Sequence, residues 1–226
     1  DFKGSDNFYQ KSEKIILSIN DKIEESILYG SKGMLYVDMG KLDDALSEYQ
    51  KSYKISSEFN NVRGQALTQF HKGTVLFLKE EFKLANEELI KAAKVFNEIG
   101  DLPNYAESLI LQAKIIKNLD ELEKADHILD KALDVSNKIN SIGFINDANI
   151  EKNIVNMLKK KDSNSIASLT LQADGNISDE LKAYIHFNLS TYGDVDESQS
   201  IALNLYNKLY KKSPKYTYKV CIDKLS

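Results

Sequence analysis

Small and large apolar residues return along this chain in step, at a spacing of 40 residues. Gly33, Gly73 and Ala113 form one column, and Ala45, Ala85 and Ala125 form a second. Tyr49, Leu89 and Leu129 form a third, Ser52, Ala92 and Ala132 a fourth, and Ile55, Val95 and Val135 a fifth. Between the columns the apolar positions recur at helical spacing. Each copy therefore predicts two helices, with a small residue on the first and another on the second, 12 positions later. Antiparallel helices that cross closely need small side chains at the crossing, while the large columns fill the space between neighbouring pairs. No pair buries its apolar faces alone, so the pattern predicts an all-α α-solenoid, an architecture that serves as a binding surface.

Taken in order, residues 5–20 predict a helix with Phe8, Tyr9, Ile15, Ile16 and Ile19 at helical spacing. Tyr9, Ser12 and Ile15 stand 40 residues before Tyr49, Ser52 and Ile55. Segment 1–21 thus reads as the second helix of a half repeat or as an N-terminal cap. Three regular repeats occupy 22–143, with helices expected at about 22–39, 43–58, 64–79, 82–98, 103–118 and 121–138. Gly40 and Gly100 mark helix ends, Asp101 caps the next helix, and Pro103 suits a first turn. The pattern loosens over 144–176, an irregular fourth repeat in which Asn153 sits where the small residue belongs. It returns over 177–214, where Ser190 precedes Ala202 by 12 positions, Tyr206 follows and Pro214 closes the second helix. Residues 215–226 are left as a C-terminal capping helix.

The residues of these columns resemble tetratricopeptide repeats. The first repeat shows the fuller set, with Gly33, Tyr36, Gly40, Ala45, Tyr49 and Ser52. The second keeps Gly73, Ala85 and Ala92, the third Ala113, Ala125 and Ala132, and the fifth the closing Pro214. The 40-residue period is similar to the long-helix variety found in bacterial regulators, sensor-linked arrays and cell-polarity scaffolds. The resemblance implies a right-handed superhelix of antiparallel helix pairs with a concave groove lined by the first helices. It implies binding of a protein or peptide partner, without catalysis or cofactor. On that geometry the groove residues are Met34, Val37, Phe70, Thr74, Phe77, Ile110, Lys114, Lys117 and Asn118, with Ile27, Gly30, Leu67 and Glu107 beside them and Tyr184, Phe187 and Thr191 in the fifth repeat. Apolar residues at this spacing also fit the core, so groove and core both remain open for Phe70, Phe77 and Met34. Gly30, Met34, Phe70 and Thr74 stand where carboxylate-clamp relatives hold Lys and Asn, which argues against a receptor for a chaperone tail.

Composition narrows the remaining chemistry. The chain has 226 residues, 42 % hydrophobic and 28 % charged, as expected of a folded globular protein. Its net charge of −4 gives no general attraction for nucleic acid. Six lysines against one acid give segment 204–226 a charge of +5 and leave −9 for the rest. That segment, with Tyr206, Tyr210, Tyr216 and Tyr218 interleaved, fits either a solvated cap or a site for an anionic partner. His71, His127 and His186 have no metal-ligand spacing, and the single Cys221 has no His nearby in sequence. No phosphate loop or nucleophile elbow is present, and no apolar run has membrane-spanning length. A first residue other than Met, followed by the polar lead-in Asp1–Ser5, fits a mature bacterial envelope lipoprotein, and fits a cytoplasmic fragment as well.

Overall fold

The computed structural model describes residues 2–19, 21–160, 163–193 and 195–226. Among them every regular element is an α-helix, and there are twelve. The chain divides into two compact units, Asp1–Ile115 and Ile116–Ser226. The first holds α1 (Phe2–Ile19), α2 (Lys22–Asp38), α3 (Leu42–Glu58), α4 (Val62–Leu78), α5 (Phe82–Glu98) and most of α6 (Leu102–Asn118). The second holds α7 (Leu122–Lys138), α8 (Ile142–Lys160), α9 (Ser163–Asp174), α10 (Asp179–Tyr192), α11 (Asp196–Lys212) and α12 (Tyr216–Leu225). In the first unit α2 packs on α3 and α4 on α5, with α3 joining the two pairs through α4. In the second, each helix packs on the next from α7 through α12.

From α2 to α7 each helix has 17 residues. Each is therefore about 25 Å long at 1.5 Å per residue. Three residues connect each to the next. The middle one always has a positive φ: Gly40, Asn60, Glu80, Gly100, Asp120 and Asn140, between 52° and 74°. Around it the backbone closes the same way each time. Lys41 N donates to Tyr36 O at 2.8 Å and Gly40 N to Val37 O at 3.0 Å, and these two bonds recur at each following turn up to Ser141 N and Ser136 O. This is the helix stop in which a left-handed residue lets two amides reach back to the last carbonyls. The 40-residue repeat is therefore two units of 20, each a 17-residue helix and a 3-residue turn.

The small and large columns answer to one another inside the first unit. A Cβ on Gly33 would lie 2.4 Å from Tyr49 Cε1, and one on Gly73 would lie 3.0 Å from Leu89 Cγ. Ala45, Tyr49 and Val75 form one core cluster, Ala66, Ala92 and Phe96 a second, and Ala85, Leu89 and Ile115 a third. Helix α1 is held to this body by Lys32, whose ammonium lies 3.0 Å from Glu13 of α1 and 3.6 Å from Glu48 of α3. Burial by itself would lower the Lys32 pKa; its hydrogen bond to Glu13 and the charges of Glu48 and Glu13 outweigh that and raise the pKa.

In the second unit the pattern loosens at α8 and α9, of 19 and 12 residues. Asn153, in the small-residue column, donates from Nδ2 to Ser168 Oγ at 3.1 Å, so a polar contact stands where the other pairs use close approach. Ile150, Ile154, Met157, Leu169, Ala173, Ile185 and Leu189 make the core there. Ala202 and Tyr206 then rebuild the repeat core with Ala183, Tyr218 and Leu225.

Candidate functional site

A cleft of about 300 Å³ opens in the first unit between α2 and α4. One wall is a single stripe of α2: Ile23, Ile27, Gly30 and Met34, at steps of four, three and four residues. Ile23, Ile27 and Met34 are 57, 56 and 48 % exposed, although all three are large and apolar. Gly30 sits midway and leaves a gap in the stripe, where an added Cβ would touch only Ser52 Oγ, at 3.8 Å. The facing wall is Leu67 and His71 of α4, with Asn61, Arg63 and Gly64 at its entrance.

The floor is built from hydroxyls. Ser26 Oγ donates to Ser52 O at 3.1 Å, and Ser52 Oγ returns a bond to Ser26 O at 2.9 Å. Ser56 Oγ lies 3.0 Å from Ser26 Oγ, and Thr68 Oγ1 donates to Gly64 O at 2.9 Å. These short side chains let α2, α3 and α4 approach closely while satisfying their own polar atoms. His71 stacks on Tyr49 with ring centroids 5.4 Å apart and planes at 13°. Burial lowers its pKa to about 4, so the imidazole is neutral near pH 7. At the entrance, Arg63 Nε donates to Asp101 Oδ2 at 2.8 Å. Burial alone would raise the Asp101 pKa, but the bonds from Asn104 and Arg63 outweigh it and hold the carboxyl below its usual range. The result is a trough with apolar walls and a hydroxyl floor, with the Arg63–Asp101 ion pair at its rim.

Of the nine residues expected in the groove, Met34 lines this cleft. Ile27, Gly30 and Leu67, expected beside them, line it too. Several of the others lie elsewhere. Phe70 packs against both the Ala66–Phe96 and the Ala85–Leu89 clusters. Phe77 packs on the second of these, its ring 5.9 Å from Phe82. Val37 packs on Ala45 and Tyr49, and Thr74 spends its hydroxyl on Phe70 O at 3.1 Å. Ile110 is buried. Phe70, Phe77, Val37 and Thr74 are thus half-buried against the chain's own core rather than set along the cleft. Lys114 is half-buried and Asn118 exposed. The Lys117 side chain is largely covered, with Nζ 3.1 Å from Glu151 Oε2; Tyr184 donates to the other oxygen of that carboxylate. It is a structural ion-pair partner within the second unit rather than a free cation. Sequence reasoning missed Ile23, Ser26, Ser31, Arg63 and His71. The signal for Ile23 was one further step of four back from Ile27, and for His71 the step of four on from Leu67.

The other groups named from sequence have structural partners or open surroundings. His186 is buried with Nδ1 3.2 Å from Ser198 Oγ, and His127 is exposed. Burial pushes the Cys221 thiol up. Tyr206 and Tyr218 are core residues with rings 6.2 Å apart, so they are not a stacking platform among the terminal lysines. Among the described residues there is no group of His, Cys, Asp and Glu able to hold a metal, and no helix long and apolar enough to cross a membrane.

With this geometry in hand, comparison with known proteins is informative at the level of fold. The tetratricopeptide repeat family model matches residues 27–59, which includes most of α2 and all of α3. No curated protein matches the sequence. Among solved structures, the apo form of RapI superposes with a TM-score of 0.76 at 18 % identity, over 94 % of this chain and 78 % of that one. The Rap conjugation gene regulator of the plasmid pLS20, solved with the Phr* peptide, gives 0.69 at 14 % identity over 88 % of this chain. This chain covers 56 % of that regulator. YrrB, a TPR protein with an unusual peptide-binding site, gives 0.51 at 16 % identity over 96 % of this chain and 97 % of that one. One tetratricopeptide repeat is thus matched over α2 and α3, and the fold is all-α, of the α-solenoid class.

Proposed function

We propose that this protein is a non-catalytic interaction module that holds a peptide or helix of a partner protein in the α2–α4 cleft. The observation that carries this reading is the exposure of Ile23, Ile27 and Met34 along one stripe of α2. Exposed apolar side chains grouped around a concave opening mark binding surfaces. The gap at Gly30 admits one bulky apolar side chain of the ligand, and the stripe's helical spacing suits an amphipathic helix or an extended segment with alternate anchors. Of the structural relatives, the pLS20 regulator was solved with a peptide bound and YrrB has a peptide-binding site, which supports the same reading here.

The test is affinity capture from the source organism with wild type against Ile27→Glu. Ile27 is exposed, so the variant keeps its fold, whereas a charge at Phe77 would enter the core. A partner recovered by wild type and lost with Ile27→Glu supports the cleft. A partner retained equally by both would sink it.

A regulatory version of the same reading is favoured by the likeness to a conjugation gene regulator with its peptide. In that version the module senses a signalling peptide and alters a partner or a further domain. Hydrogen exchange with and without the captured ligand separates the two. An adaptor shows protection confined to α2 and α4, and a sensor shows protection spreading into helices that do not touch the cleft. A role at the bacterial envelope belongs to this proposal as well, and fractionation of the native protein decides between envelope and cytoplasm.

A further inference from the structure

The second unit gathers positive charge in one place. No Asp or Glu occurs between Glu197 and Asp223, while Lys208, Lys211, Lys212, Lys215 and Lys219 all fall there. Lys211 and Lys212 follow Lys208 on one face of α11, three and four residues on, and all three are exposed. Lys215 comes next at the N-cap of α12, with Nζ 5.6 Å from the ring centroid of Tyr218. Lys182 joins them from α10. Lys208 Nζ lies 2.8 Å from Asp179 Oδ2, and the charges of Lys182 and Lys212 act on the same carboxylate. The bond from Lys208 leads in holding that carboxyl below its usual range. One carboxylate thus serves three ammoniums. With Lys211 and Lys215 on one side and Glu180 on the other, the cluster keeps a net charge of +3.

The openness of this face belongs to the position in the repeat, not to the end of the chain. Lys131 precedes Lys208 by 77 residues, as Ala125 precedes Ala202, and it is exposed. So are Lys91 and Lys51, one and two repeats earlier, each with several helices after it. What differs is the company these lysines keep. Lys51 lies 2.7 Å from Glu48 and Lys91 3.0 Å from Glu88, in each case an acid three residues back on the same helix. Lys131 stands next to Asp130, with Asp134 one turn on. Three residues before Lys208 is Leu205, and three before Lys211 is Lys208 itself. The column that is balanced in α3 and α5 is left uncompensated in α11.

We propose that this lysine face of α10, α11 and the turn into α12 is an attachment surface for an anionic lipid bilayer. Its cations are lysines, compact charges suited to a diffuse layer of head groups. The planar fork of arginine, which grips phosphates and bases bidentately, occurs once in the chain, at Arg63 of the first unit. A nucleic acid strand would also call for exposed rings to stack on, and Tyr206 and Tyr218 are in the core. Tyr210 and Tyr216, half-buried among the lysines, have the amphipathic side chain that sits at head-group depth. Each lysine brought to an anionic surface strengthens attachment about fivefold, so the hold is reversible and sensitive to salt. The surface lies in the second unit and the α2–α4 cleft in the first, and neither needs the other's ligand.

The test is co-sedimentation of the full chain with sucrose-loaded vesicles, made of phosphatidylcholine alone or with one lipid in three replaced by phosphatidylglycerol. The expected result is saturable binding to the anionic vesicles and none to the neutral ones, with release as salt rises from about 0.1 M to about 0.5 M. Lys211→Glu with Lys212→Glu should weaken binding by about tenfold or more. Lys131→Glu with Lys138→Glu makes an equal change in net charge at exposed positions of α7, and should weaken it by less than about threefold. Lys211 and Lys212 are exposed, so circular dichroism of the α11 pair should match wild type; Lys211→Gln with Lys212→Gln is the second pair if it does not. The proposal is overturned by the absence of binding to anionic vesicles, or by equal binding to neutral ones. It is overturned as well if the α11 pair binds like wild type, or if the α7 pair loses as much. A fluorescein-labelled DNA duplex that binds more tightly than the anionic vesicles also overturns it, since the partner would then be a nucleic acid.

Discussion

Tyr49 occupies the space that a side chain at position 33 would need. Its ring stands where a Cβ of residue 33 would be 2.4 Å from Cε1, and its other face stacks on His71. Three helices thus meet through one tyrosine: α2 by having no side chain there, α3 by supplying the ring, α4 by the imidazole.

Gly33→Ala should therefore destabilise the first unit by about 2 kcal/mol, in the range of overpacked cores. Tyr49→Leu should cost stability too, by losing the stack. The double variant should cost less than the two together, since a leucine is the partner that Gly73 already meets. Urea melts of the four proteins measure this. Strict additivity within about 0.3 kcal/mol would show that the ring and the Cβ do not compete.

The turns offer a pair of opposite predictions. Gly100 has φ +74° with nothing within 4 Å of its missing Cβ, so Gly100→Ala meets strain and no clash. A loss of about 1 kcal/mol is expected. Asp120 has φ 61° without being glycine. Asp120→Gly should raise stability by about 0.5 kcal/mol, the strain relieved being partly offset by the freer unfolded chain. If thermal melting moves the same way for both variants, backbone strain is not what these positions are about.

Acid should weaken the first unit through His71. Its pKa is about 4 in the folded state against about 6.5 when unfolded. Between those values the unfolded chain binds the extra proton, so stability is full above about pH 6.5 and falls as pH drops towards 4. The loss reaches up to about 3 kcal/mol at the bottom of the window and stops growing below it. His71→Phe keeps the stack on Tyr49 and should flatten the curve between pH 6.5 and 4. An unchanged slope in that variant would assign the acid sensitivity to other groups.

In the second unit, Lys117 and Glu151 form a buried pair with Tyr184 on the far oxygen. Burial, with the Glu151 charge adding to it, keeps the Tyr184 hydroxyl protonated well above its ordinary range. Lys117→Met should cost about 3 kcal/mol, because it takes one cation away from a buried carboxylate. Glu151→Gln in the same background should recover part of that. A Lys117→Met variant that melts like wild type would mean that the lysine is dispensable to the fold.

The fold was legible because its signal is redundant. The columns at Gly33, Ala45 and Tyr49 recur, and the helix ends expected from them fall within about two residues of α2 to α7. The turn that recurs every 20 residues was not legible, because only Gly40 and Gly100 announce it; Asn60, Glu80, Asp120 and Asn140 adopt the same backbone without glycine. The cleft was half legible. Ile27 and Met34 stand on a helix with one open side, where periodicity reports the surface. Phe70 and Phe77 stand on α4, which is apolar round much of its circumference, so periodicity could not say which side was open. Lys117 read as a groove cation because Glu151 lies 34 residues further on, a distance at which sequence shows no pairing.

Helices of equal length joined by equal turns make the stretch from α2 to α7 a kind of ruler. One residue added inside a helix would rotate everything beyond it by about 100°. Length can change without that penalty only in whole strokes of 20, or of 40 if each pair is to stay a pair. Lengthening by a duplicated stroke would add one more helix and turn of the same length and leave the phase of the helices beyond it unchanged.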